Sequence, residues 1–75
     1  QARAPIFGHF RAAHPLTGIP AATVGATVKA GDILGFVELE EALHPVIAPA
    51  DGTVTALLAE DGALVGYGAA LVALG

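Results

Sequence analysis

The chain has 75 residues with three Lys+Arg, seven Asp+Glu and no cysteine, for a formal charge of −4. That length holds one domain, taken as residues 1–75, and the missing cysteines exclude disulfides and thiolate metal sites. With no basic stripe to neutralise phosphates, nucleic-acid binding is excluded as well.

The hydrophobic fraction is 55%, much of it alanine. The most apolar stretch, Ala63 to Gly75, is interrupted by Gly66 and Gly68 and falls short of the roughly 20 residues of a membrane helix. No membrane association is therefore expected. No basic-then-apolar leader opens the sequence, so no signal peptide is expected and the assigned location is cytoplasmic. The first residue is Gln1, which is compatible with a piece of a longer chain.

Ten Gly and five Pro punctuate the chain and leave no gap for an amphipathic helix. Short runs of Val, Ile and Leu between them predict an all-β domain of many short strands, a small sandwich or barrel. In chain order, Ala4 to Phe10 opens the first half. His14-Pro15-Leu16-Thr17-Gly18-Ile19-Pro20 follows as an irregular loop. Gly25, Ala26, Val28, Gly31 and Leu34 come next, and they recur 37 positions later as Gly62, Ala63, Val65, Gly68 and Leu71. Ala48-Pro49-Ala50-Asp51-Gly52-Thr53-Val54 matches Ala4 to Phe10 at an offset of 44. The first half is therefore the longer one, and its extra length is the His14–Pro20 loop.

Neither half can bury its apolar face alone, so the repeat predicts two halves closed on each other about a pseudo-two-fold axis. Val28, Val65, Leu34 and Leu71 are expected in the core. Gly31 and Gly52 are expected at tight turns with positive φ. Asp32 and Asp51 are expected to fix those turns by accepting backbone N–H bonds. Phe7, Phe10, Phe36 and Tyr67 are assigned to core packing rather than to a ligand pocket.

The segments Val28-Lys29-Ala30-Gly31-Asp32-Ile33-Leu34 and Ala48-Pro49-Ala50-Asp51-Gly52-Thr53-Val54 resemble the signatures of the two halves of biotinyl and lipoyl domains. Pro5-Ile6-Phe7-Gly8-His9-Phe10 is similar to the opening strand of the biotin carboxyl carrier proteins of acetyl-CoA carboxylase. The His14–Pro20 loop falls where that family carries a protruding thumb. The resemblance implies a flattened antiparallel barrel of two four-stranded sheets. It also implies a lysine on an exposed hairpin, within Glu-Ala-Met-Lys-Met, to which a ligase joins biotin by an amide.

Here the hairpin is Val37-Glu38-Leu39-Glu40-Glu41-Ala42-Leu43-His44-Pro45. Glu38 matches the motif glutamate. Glu40 and Ala42 replace the two methionines, and Glu41 occupies the lysine position. A carboxylate cannot form the amide, and Lys29, the chain's one lysine, lies in another turn. The resemblance thus leaves a domain without bound biotin or another cofactor. It would serve as a binding or scaffolding module of an acetyl- or acyl-CoA carboxylase in fatty-acid biosynthesis. Its expected partners are biotin carboxylase or carboxyltransferase subunits, with His14, Pro15, Leu16, Thr17 and Gly18 as the partner-reading loop. The other reading is a structural terminal domain of a larger protein with no carboxylase link. A monomer or a weak edge-paired dimer is expected.

Glu38 and Glu40, at alternating strand positions, are expected to share a face. His9, His14 and His44 lack the close spacing of a metal site, and no metal is assigned. The chain has no serine, and Thr17, Thr23, Thr27, Thr53 and Thr55 have no marked base beside them, so no catalytic residue is assigned and the chain by itself is not an enzyme.

Overall fold

A computed structural model describes residues 1–14 and 16–75. Eight strands follow in chain order: β1 (Ala2–Arg3), β2 (Gly8–Arg11), β3 (Thr27–Val28), β4 (Ile33–Leu39), β5 (Ala42–Ile47), β6 (Gly52–Leu57), β7 (Leu64–Val65) and β8 (Ala70–Leu74). Among the described residues no helix is long and apolar enough to cross a membrane. The strands form two four-stranded antiparallel sheets, ordered β1-β8-β6-β3 and β5-β4-β2-β7. The molecule measures 31 × 26 × 19 Å, a flattened barrel.

Side-chain alternation decides which way each strand faces. In β6, Val54 is buried while Thr53 and Thr55 are exposed, the pattern of a strand with one wet face. The inward side chains Phe10, Leu34, Val37, Val46, Val54, Leu71 and Val72 meet between the sheets, each at most 2% exposed. A register shift between Ile33 and Gly35 turns Leu34 and Gly35 both inward. A Cβ on Gly35 would stand 2.8 Å from Phe10 Cε1, so the glycine makes the room that the Phe10 ring fills.

The pseudo-two-fold repeat is visible bond by bond. Gly31 N–H donates to the Ala48 carbonyl and Gly68 N–H to the Ala4 carbonyl, both at 2.9 Å. Gly25 N–H donates to Val54 at 2.8 Å, and Gly62 N–H to Phe10 at 2.7 Å. Donors in these pairs differ by 37 positions and acceptors by 44, the offsets of the sequence repeat. Gly25, Gly62, Gly31 and Gly68 all take positive φ, between 78° and 94°, a region costly for other residues.

Of the expected core residues, Val28, Leu34 and Leu71 are buried, and Val65 is half-buried against the core. Asp32 Oδ2 accepts the Lys29 N–H at 2.9 Å and closes its own turn. Asp51 acts at longer range than expected: its Oδ1 accepts the Ala30 N–H at 2.8 Å, tying the start of the second half to the first-half turn. Gly52 does not have positive φ. It is required by close approach, since a Cβ there would lie 2.8 Å from the Gly75 carbonyl oxygen.

The aromatic residues divide, against the expectation that all would pack inside. Phe10 is buried and Phe36 half-buried, but Phe7 and Tyr67 are exposed. Phe7 sits in the bend that precedes β2, outside the strand whose alternation buries Phe10. Tyr67 sits on a turn, flanked by Gly66 and Gly68, where no neighbouring strand covers it.

Candidate functional site

The hairpin of β4 and β5 carries the residues singled out by the sequence. Its register pairs Val37 with His44, Glu38 with Leu43 and Leu39 with Ala42, leaving Glu40 and Glu41 as a two-residue turn. Both turn residues have positive φ, 51° and 67°. Two consecutive left-handed residues are the mark of a type I′ turn, whose twist matches that of the flanking strands. Asn-Gly is the favoured pair there, because left-handed backbone costs other residues roughly 1–2 kcal/mol each. Glu40→Asn with Glu41→Gly is therefore expected to stabilise the chain by about 1–2 kcal/mol. A raised urea midpoint at unchanged slope checks this; an unchanged or lowered midpoint contradicts it.

The turn separates the three glutamates instead of gathering them. Glu38 lies along the outer face of β4, where its Oε1 accepts from Arg11 Nε at 3.0 Å and stands 2.9 Å from the second guanidinium nitrogen. That pair ties β2 to β4 below the tip. Both side chains are about one-third exposed, so the pair is worth at most about 1 kcal/mol. Glu40 belongs to the turn, so strand alternation does not carry over to it from Glu38, contrary to the expectation of a shared face. Glu40 and Glu41 are exposed, and no ion pair reaches either of them among the described residues. Ala42 begins β5 and is exposed too.

Lys29 is exposed in the turn between β3 and β4. Its N–H is held by Asp32 and its carbonyl accepts the Asp32 N–H at 2.9 Å. It has no place in the hairpin.

The loop between β2 and β3 is a built structure. Ala12 N–H donates to Asp61 Oδ1 at 2.8 Å, Ala21 N–H to the Ala12 carbonyl at 3.0 Å, and Ala13 bridges Pro20. The His14 ring meets Phe36 edge-on at 5.3 Å, anchoring the loop on the outer face of β4. Its Nδ1 accepts the Leu16 N–H at 3.2 Å, and its carbonyl accepts from Thr17 at 3.2 Å and Gly18 at 2.9 Å. Leu16, Thr17 and Gly18 are exposed, Gly18 with φ 67°. Pro15 lies outside the described residues. His9 stands opposite Glu38 across β2 and β4, while His44 sits half-buried on β5. Among the described residues no three metal-binding side chains come together.

Sequence reasoning missed Arg11. The signal was weak, since it lies 27 residues from Glu38.

The family described as "Biotin-requiring enzyme" matches residues 1–74. Among solved structures, the urea carboxylase of Kluyveromyces lactis is 26% identical with a TM-score of 0.80, over 99% of this chain and 6% of that one. A single-chain, multi-domain long-chain acyl-CoA carboxylase is 27% identical with a TM-score of 0.75, over 96% of this chain and 6% of that one. The chain thus spans about 6% of the length of each of these carboxylases. No curated protein sequence matches it.

Proposed function

The chain belongs to the family of biotin-requiring enzymes, the biotinyl/lipoyl domains, and from that premise we propose that it is a carrier-type domain that docks without carrying. The observation behind this reading is the hairpin turn. It has the type I′ backbone of an exposed presenting turn, but it displays Glu40 and Glu41. Amide formation needs a nucleophilic amine, which a carboxylate cannot supply. Glu41, at the second turn position, is taken as the counterpart of the family's acceptor lysine. Lys29 is held in a different turn, so no biotin is attached to the hairpin.

What remains is shape and surface. A carrier must be recognised by a biotin carboxylase and a carboxyltransferase, and a domain keeping the fold can keep those contacts. The reading therefore places the chain with an acetyl- or acyl-CoA carboxylase, in fatty-acid biosynthesis and in the cytoplasm. The loop from His14 to Gly18 is its partner-reading element, supported by its anchoring on Phe36. The free edges support a monomer. β1, β3 and β7 end their sheets with two residues each, too short to template another strand well, and the longer edge strand β5 carries Pro45, which leaves room for a weak dimer at most.

The test is competition. The tagged chain is expected to bind biotin carboxylase and to displace the biotinylated carrier from it. No binding at high micromolar concentration would leave the second reading, a purely structural domain of a longer protein.

A further inference from the structure

The loop between β2 and β3 breaks the internal two-fold, and one side chain matches the break. In the second half, Glu60 to Ala63 form a turn closed by Ala63 N–H to the Glu60 carbonyl at 3.0 Å, with Gly62 at φ 87°. In the first half, Thr23 to Ala26 form the same turn, closed by Ala26 N–H to the Thr23 carbonyl at 3.1 Å, with Gly25 at φ 94°. Positive φ at the second central position gives both the type II form. The first central position is Asp61 in one turn and Val24 in the other, at the repeat offset of 37.

Each turn's glycine N–H bonds to the strand it faces, Gly25 to the Val54 carbonyl and Gly62 to the Phe10 carbonyl. Two residues on from Val54, Ala56 continues β6 and pairs with Ala73. Two residues on from Phe10, β2 has ended at Arg11, and Ala12 begins the loop. There Asp61 Oδ1 accepts the Ala12 N–H at 2.8 Å. Aspartate thus stands where the chain leaves the sheet, and valine where the chain stays in it. Ala12 is also the junction of the loop. Its carbonyl accepts the Ala21 N–H at 3.0 Å, and Ala13 bridges Pro20 just beyond. The outgoing and returning stems are fixed to each other, and Asp61 fixes both to the turn before β7.

The carboxylate is not needed for the turn, which keeps its form with Val24 in the other half. Nor is it needed for the core, since Asp61 is exposed. Its one hydrogen bond goes to the loop. We propose that Asp61 is the positioning residue of the partner-reading loop, its carboxylate holding the loop in the conformation that docks. This rests on the docking reading above and deepens it by naming what prepares the loop. A loop held in its docking shape avoids the entropy of ordering on contact. A freed loop binds only while it visits that shape, and its apparent affinity falls by that fraction. A hydrogen bond to a charged acceptor is strong enough to change the fraction about tenfold.

The test compares the full chain with Asp61→Val, which places the first-half residue in the same turn, and with Asp61→Asn, which keeps an acceptor oxygen. Amide exchange is read residue by residue, and affinity is measured for purified biotin carboxylase. Asp61→Val is expected to speed exchange at Thr17, Gly18 and Ala21, none of which bonds to Asp61. Gly31, Val54 and Gly68, held within the barrel, are expected to exchange as in the parent. Carboxylase binding is expected to weaken about tenfold, and Asp61→Asn to restore both the slow exchange and most of the affinity. Parent-like exchange in the loop of Asp61→Val overturns the proposal. So does faster exchange throughout the barrel, which would make Asp61 a general fold contact. A loosened loop that binds carboxylase as tightly as the parent overturns it too, as does an Asn variant that behaves like the Val variant. A parent chain that does not bind carboxylase overturns the docking reading itself; loop amides released in Asp61→Val would then still support Asp61 as the residue that holds the loop.

Discussion

Leu71→Ala is expected to cost about 2–5 kcal/mol and to leave the chain marginally folded or unfolded. Leu71 is completely buried in β8, which runs between β1 and β6. Its side chain meets residues of the facing sheet, and the close-packed interior cannot collapse into the hole left behind. A 75-residue chain has roughly 4–11 kcal/mol of total stability on the usual per-residue scale, so this one truncation removes a large share. Leu34, its counterpart in the repeat and 2% exposed, is expected to behave alike. Urea denaturation measures both. A loss under about 1 kcal/mol at either position would mean that the two halves do not share a tightly packed core.

The second large effect is a gain. Glu41→Lys, combined with Glu40→Met and Ala42→Met, is expected to turn a chain that a biotin protein ligase leaves untouched into one that it biotinylates. The backbone favours this, because the turn already holds residue 41 at positive φ on an exposed hairpin. Lysine pays the same conformational cost there as glutamate and adds the amine that amide formation requires. Intact mass after incubation with ligase, biotin and ATP reads the outcome. A folded triple variant that stays unmodified would show that residue 41 is not the acceptor position, and the comparison with the family's lysine would fall.

Much of this architecture is legible in the sequence because backbone geometry leaves marks. Glycines at an offset of 37 record turns that need positive φ, and Gly25, Gly31, Gly62 and Gly68 all have it. Leu34 and Leu71 follow as a symmetric pair in the core. Gly52 carries the same letter for a different reason, the approach of the Gly75 carbonyl, and sequence alone does not separate the two causes. Aromatic residues were harder to place. Phe7 and Phe10 both look like core, but only Phe10 lies within β2 and is buried, whereas Phe7 sits in the bend before it and is exposed.

The acidic hairpin was legible as composition and less so as geometry. Glu38, Glu40 and Glu41 read as one cluster, yet Arg11 holds Glu38 on the sheet while the turn carries the other two. That division matters to function. Glu38 belongs to the framework of the hairpin, whereas Glu40 and Glu41 are what it presents.

The most direct test of docking without carrying is the intact mass of the chain purified from its own cells. The expected mass is that of the polypeptide with no biotinyl group. A species heavier by one biotinyl group, on Lys29 or any other residue, would contradict it.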